Sequence, residues 1–587
     1  MADYVVIGGG SSGGVVAARL SEDPNTTVTL LEAGGPGNSK FVSIPGMFAG
    51  LIQDYKINKL NWRFRTTPQK KLNNRSLYHP RGKMLGGSSG MNGMVYIRGE
   101  SGDYDRWSEL GNEGWSYDEV LPYFRKAENN ERGADDYHGD SGPLHVSNGD
   151  ESFDFYSAFL ASGEKLEYPK TPDFNGANRE GLGIYQFTTK NGERASVKFC
   201  YLDPIMDRKN LDVQVKATVR RIVMEDGRAV AVEYDQDGET KRVEVGKEVI
   251  VSGGAFGSPQ ILMLSGIGPR AELEKHGIQV QHELPGVGEN LHDHPDVMFV
   301  FKSKKRTGIS LGPLGTLKNL GAFYQYFTKR KGWLANPPTA AGGFLRSEPG
   351  KNNPDFQLHM VPLPYRNHAH DYMSMIKWGF TMIVNIGHPR SRGRLTLKDA
   401  DPGSQPNIDL NLLDHVDDLK DMRNAFKVTQ EILHGPPLKD KIAKPLYPKR
   451  YLDTDAEIDE YLRAEVNHAY HPVGTLRMGQ DCDDDNALRR PGAPEICDAI
   501  DNDCVGGLDF PGEDDDRDGY ADCVDLVGQA IFDCDDSRAD VNPGVTLDRC
   551  DGLDADCGGE IEDADFDGYV AVGAPCVDGT LPTTDCD

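Results

Sequence analysis

Apolar residues first gather at Tyr4-Val5-Val6-Ile7, a β-branched run with no polar alternation. That pattern predicts a short parallel strand covered on both faces. Residues 15–20, Val-Val-Ala-Ala-Arg-Leu, read as a helix, and Val28-Thr29-Leu30-Leu31 as a second buried strand ending at Glu32. Further on, residues 211–215 and 249–251 are strand-like. They bracket two alternating runs, 219–224 and 229–234, on either side of the turn Asp226-Gly227, which predicts a small β-meander. Residues 194–202 form an apolar, helix-like stretch around Cys200, whose thiol is expected to be buried and inert. Residues 302–345 mix Gly, Pro and aromatics and are expected to include a loop. No run of eighteen apolar residues occurs, which excludes a helical membrane span.

Between the first strand and helix stands Gly8-x-Gly10-x-x-Gly13, with Ser12 inside it. Glycines permit the tight turn and let a pyrophosphate approach the backbone. The helix N-terminus then offers unpaired N–H groups and the positive end of its dipole. Glu32 stands where it can accept from ribose hydroxyls. Strand, glycines, helix, strand and acid in this order predict a dinucleotide-binding unit.

The chain has 587 residues, enough for several domains, and a formal charge of −28. That charge argues against a nucleic-acid or anionic-membrane partner. The average hides a split. Residues 481–587 hold 32 Asp and Glu against 5 Lys and Arg, while residues 1–480 are near neutral. Nine of the ten cysteines also lie after residue 481. A near-neutral body is joined to an acidic, cysteine-rich tail.

Four separated motifs carry a family resemblance. Residues 82–99 read GKMLGGSSGMNGMVYIRG, residues 254–268 run from Gly-Ala-Phe-Gly-Ser-Pro to Leu-Ser-Gly-Ile-Gly, residues 284–294 read LPGVGENLHDH, and residues 471–479 read HPVGTLRMG. In this order they resemble the glucose–methanol–choline (GMC) flavin oxidoreductases, with the flavour of the alcohol and choline dehydrogenase-like members. The resemblance implies a Rossmann-like α/β FAD-binding domain interleaved with an α+β substrate domain on an antiparallel sheet. The first would occupy mainly residues 1–300, with a substrate-domain insertion around 145–205, and the second residues 301–480. It implies that Gly86, Gly87 and Asn92 contact the flavin and Val219 the adenine. Some members attach the flavin through a loop histidine; Met91 stands at that position, so non-covalent FAD is implied. The implied reaction oxidises a small-molecule alcohol by hydride transfer to flavin N5. His471 matches the catalytic base and His468 does not. An imidazole suits that task because its pKa lies near working pH. The electron acceptor is open between oxygen, a quinone and a redox protein. His292 and His294, beside Asp293 and Asp296, are too few convergent ligands for zinc.

The family continues past the His471 motif with a further strand, a second catalytic residue and a covering helix. The composition after residue 481 predicts that this segment is lacking. Cysteines there recur at offsets of 52–53 residues, an internal repeat. These repeats resemble the acidic cysteine-rich metal-binding repeats of bacterial surface proteins. Each copy holds alternate carboxylates before a glycine: Asp514, Asp516 and Asp518, then Asp563, Asp565 and Asp567. Hard oxygen ligands in that spacing predict Ca²⁺, although the acid of position twelve is Asp525 in one copy and Ala574 in the other. The cysteines predict disulfides in a small, loop-rich tail. Disulfides point to an extracellular or surface setting, whereas the body, with no visible leader, points to the cytoplasm. The leading reading is an FAD-dependent oxidoreductase acting on CH–OH donors, with a calcium-binding tail and with the activity of the shortened body left open. The alternatives are an inactive flavoprotein scaffold carrying a surface module, and two unrelated reading frames joined at residue 481.

Overall fold

The computed structural model describes residues 1–55, 58–367 and 371–478, together with a backbone pairing of Cys523–Val524 with Ala530–Ile531. Two compact units are present: Met1–Glu100 with Leu121–Arg477, and Ser101–Val120 with Met478–Asp587. In the second, helix Ser101–Glu109 sets Tyr104 edge-on to Trp107, ring centroids 5.3 Å apart.

The first unit is built, in chain order, from β1 (Ala2–Ile7), α1 (Ser11–Leu20), β2 (Val28–Glu32), β3 (Gly181–Ile184), β4 (Leu211–Val215), β5 (Thr218–Glu225), β6 (Arg228–Gln236) and β7 (Glu239–Val251). It continues with α2 (Gly254–Leu264), β8 (Pro295–Ser303), α3 (Pro313–Lys329), β9 (Ala341–Leu345), β10 (Phe356–Val361), β11 (Gly379–Ile386), α4 (Val416–His434), β12 (Ile442–Tyr447) and β13 (Asn467–His468).

One sheet has the order β4-β2-β1-β7-β6-β5. Its first four strands are parallel, with Val6 opposite both Leu30 and Ile250. Val5, Val6 and Leu30 are fully buried, as an unalternating apolar run requires. The other three-strand section is antiparallel, so the meander and the parallel sheet share β7. Only the last three residues of that strand carry a strand signal in sequence. Its first half, Glu239-Thr240-Lys241-Arg242, is polar because it forms the exposed half of a ribbon.

The second sheet has the order β12-β8-β11-β10-β9-β3, and β13 also pairs with β8. Strand β8 is buried along almost its whole length. Helix α4 lies against the sheet, and Phe299 meets Phe426 with ring centroids 4.3 Å apart. Residues 302–345, expected to include a loop, also contain α3. Pro313 at its first position pre-sets the helical φ, and the helix stops where Arg330 turns left-handed at φ 51°. Cys200 is buried as expected, and burial pushes its thiol pKa up.

Candidate active site

Strands β1 and β2 end at one edge of the first sheet, where a cavity of about 610 Å³ opens. It is lined by Gly8, Gly10, Ser12, Glu32, Gly87 and Val219, and also by Arg81, Lys83 and Phe256. Two helices begin on it. Gly10 precedes α1 and Gly253 precedes α2, and neither is capped by a side chain. Their first N–H groups therefore remain available to an anion.

The glycines are explained by close approach. A Cβ on Gly13 would sit 2.0 Å from the Gly8 carbonyl oxygen, so only glycine lets α1 pack on its own turn. Gly86 donates its N–H to the Gly9 carbonyl at 2.7 Å. Gly87, at φ +52°, passes Gly10 so closely that a Cβ would lie 2.7 Å from its Cα. The two glycine motifs thus dock backbone to backbone, and the second becomes a wall of the cavity.

Glu32 accepts from Gly9 N–H at 2.9 Å and from Gly34 N–H at 2.7 Å. Burial nevertheless raises its pKa to about 7, the two N–H groups and Lys83 opposing that rise. Each carboxylate oxygen keeps a further lone pair as an acceptor. Lys83 lies over the Trp62 ring at 4.1 Å.

Asn92 does not line this cavity; it is held from behind. Arg194 donates through Nη1 to the Asn92 side chain at 2.7 Å, to the Asn92 carbonyl at 2.8 Å and to the Ser89 carbonyl at 3.2 Å. Its Nε donates to the Val42 carbonyl, and Nη2 is buried without a hydrogen-bond partner. Burial pulls the guanidinium pKa down to about 9. This clamp was invisible as a role in sequence, where Arg194 only flanked Cys200. Met91 is buried against the same loop, beside Met84, Val42 and Leu51.

His471 stands beside Pro472, which lines the cavity. The residue before it, Tyr470, is held at φ +69°, a left-handed conformation rare for a bulky side chain. Arg81 fixes that turn by donating to the Tyr470 carbonyl at 2.6 Å. The His471 N–H donates to Asp293 Oδ1 at 3.0 Å. Three motifs are stitched together here, because His292 and Val473 exchange backbone hydrogen bonds and Thr475 donates to the Ala255 carbonyl. Crowding by protein groups lowers the His471 pKa to about 4, with His294 next in effect. The residue is nevertheless exposed, and solvent at an exposed imidazole tempers that shift.

Beneath His471, Asp293 Oδ2 accepts from His79 Nε2 at 3.1 Å, and the His79 and His468 rings stack at 3.9 Å. His79, Asp293 and His468 have the spacing of a metal site. The hydrogen bonds argue otherwise. His468 accepts from Tyr470 N–H at Nδ1 and donates from Nε2 to the Tyr78 carbonyl, which occupies both ring nitrogens. His292 and His294, the pair tempting in sequence, do not belong to that cluster. Both oxygens of Asp293 face donors, so Asp293→Asn would turn an amide N–H₂ against one of them. The expected cost is about 1–3 kcal/mol of stability. Urea unfolding checks this; an unchanged midpoint would refute it.

A cavity onto which two uncapped helix N-termini open, walled by glycine backbone, has the make-up of a dinucleotide-binding site. The GMC oxidoreductase N-terminal model matches residues 2–296 and its C-terminal model residues 389–489. The chain belongs to the GMC oxidoreductase family. It is 39% identical over 484 residues to an alcohol dehydrogenase [acceptor] of Pseudomonas putida, covering 82% of this chain and 87% of that one. It is 39% identical over 497 residues to an oxygen-dependent choline dehydrogenase of Photobacterium profundum, covering 83% and 85%. Among solved structures, a formate oxidase of Aspergillus oryzae studied for FAD modification superposes with TM-score 0.74 at 28% identity, covering 82% of this chain and 89% of that one.

In the tail, a Cu-binding MopE family model described as "Putative metal-binding motif" matches residues 481–509 and 533–563. The expected calcium ligands Asp514, Asp516, Asp518, Asp563, Asp565 and Asp567, and the expected disulfides, lie outside the described residues. The matched family names copper rather than calcium. No helix among the described residues is long and apolar enough to cross a membrane.

FAD fits the site on three counts: the free N–H groups of two helix starts, the glycine contacts that a Cβ would fill, and an elongated cavity between Val219 and Pro472.

Proposed function

We propose that this chain oxidises a small-molecule alcohol at its carbinol carbon, with FAD held non-covalently in the cavity. The observation that carries the reading is the docking of the Gly86-Gly87 loop on the Gly8–Gly10 turn, which leads the cavity toward His471. The first N–H groups of α1 and α2 would hold the pyrophosphate, Glu32 the ribose and Val219 the adenine. The loop 86–92 would back the flavin ring, with Asn92 oriented by Arg194. Met91 offers no nucleophile for a covalent link. Bound FAD supplies the acceptor for a hydride from the substrate carbon.

The chain's residues handle the proton. His471 is neutral at working pH, so an unprotonated ring nitrogen is ready to take the hydroxyl proton. Arg81, whose positive charge opposes protonation of that ring, also stabilises negative charge developing on the substrate oxygen. Asp293 holds the His471 main chain, so the ring keeps its place through the cycle. The alcohol dehydrogenase and choline dehydrogenase relatives support this substrate class. We further propose that the first sheet with residues 1–300 forms mainly the FAD side, and that residues 301–480 form mainly the substrate side.

The purified chain should show a flavin absorbance band that bleaches on adding a substrate alcohol without oxygen. Absence of the band even with added FAD would overturn the reading.

A further inference from the structure

Helix α3 is amphipathic in the unusual sense: its apolar stripe points away from the core. Leu314, Leu317, Leu320, Tyr324 and Phe327 recur at steps of three and four, and each is between 52% and 68% exposed. The opposite face carries the packing. Tyr326 is fully buried against Ile44, Leu334 and Ala335, and Gly315 passes within 2.2 Å of the Ser310 carbonyl at its ideal Cβ. The stripe continues at the helix start, where the Leu311 N–H donates to the Met375 carbonyl and brings in exposed Tyr372 and Met373. Contiguous exposed apolar surface of this kind marks an interaction site.

Charge identifies the partner. Residues 297–347 contain nine Lys and Arg and not one Asp or Glu. Lys304, Lys305, Arg306, Lys318, Lys329 and Lys331 are exposed, and none forms an ion pair among the described residues. The whole-chain charge of −28 pointed away from anionic surfaces, but it is concentrated in residues 481–587. At physiological salt such charge is screened beyond about 8 Å. A surface helix with Leu, Tyr and Phe on its outer face, flanked by cations that form no ion pair among the described residues, has the physical make-up of an element that lies in a bilayer interface.

We infer that the outer face of α3 docks this protein on an anionic lipid bilayer, without spanning it. The apolar stripe enters the headgroup boundary, and the flanking lysines meet lipid phosphates. A second copy of the chain is the competing occupant, but two such faces would bring like charges together.

The test is co-sedimentation of the full chain with vesicles, in the presence of a chelator so that divalent ions cannot bridge tail and lipid. Binding is expected to vesicles containing phosphatidylglycerol, at least tenfold weaker to phosphatidylcholine alone, and reversed by 0.5 M salt, about a 4 Å screening length. Leu317→Glu with Leu320→Glu should cut binding at least tenfold, and so should Lys304→Glu with Lys305→Glu, each at an unchanged thermal midpoint. The lysine pair keeps the proposal testable if the leucine pair fails to fold. No binding to either vesicle would overturn the inference. So would a dimer, seen by sedimentation velocity, that the leucine pair dissociates in a protein that ignores vesicles.

Discussion

His471→Ala is expected to slow flavin reduction by an alcohol at least about a hundredfold, the lower end of what a positioned general base contributes. FAD should stay bound, because His471 makes none of the glycine contacts that shape the cavity. The substitution spares the scaffold. Its N–H still donates to Asp293, and Pro472 still restricts the preceding backbone to extended conformations. The pH dependence has a definite sign. Desolvation by protein groups, with His294 next in effect, lowers the ring pKa from its ordinary value toward about 4, and solvent at the exposed residue tempers the shift. In the wild type the rate should therefore be flat above about pH 7 on this limb, and should fall only as pH drops below the ordinary imidazole value. Anaerobic rapid mixing across pH reads both effects. A variant that reduces its flavin at the wild-type rate would remove His471 from the chemistry.

Parts of this architecture are legible in sequence because they are local. The strand, the Gly8–Gly13 turn, α1 and β2 follow one another within about thirty residues, and buried parallel strands announce themselves by lack of alternation. The meander was legible for the same reason. What escaped is what joins distant residues. Asp293 meets His79 across 214 positions, and Arg194 meets Asn92 across 102. No periodicity encodes such pairs. The signal for Arg194 would have been a cation opening a mostly apolar stretch, which needs buried acceptors. The signal for α3 lies in step rather than in composition. Glycines and aromatics of this segment fit a loop within it, whereas the spacing Leu314, Leu317, Leu320, Tyr324, Phe327 has the period of a helix. The charge average misled in the same way, because a tail far more acidic than the body concealed a basic segment inside it.

Gly13→Ala is expected to abolish flavin retention on purification and to destabilise the protein by about 1–3 kcal/mol, the usual range for overpacking. The reason is geometric rather than a matter of helix propensity, since alanine is the better helix former. An ideal Cβ at Gly13 lies 2.0 Å from the Gly8 oxygen and 3.0 Å from the Ser252 Cβ. Both neighbours belong to the cavity edge, so relief of the clash must push α1 away from the β1 turn. That movement displaces the first N–H groups of α1 and loosens the seat on which Gly87 rests against Gly10. The control is Gly93→Ala, in the same signature loop, where a Cβ meets nothing within 4 Å. It should keep its flavin and its unfolding midpoint. Equal flavin loss in both variants would mean that the loop tolerates no side chain for reasons other than contact. Retention in both would mean that the close approach at Gly13 does not set the cofactor seat.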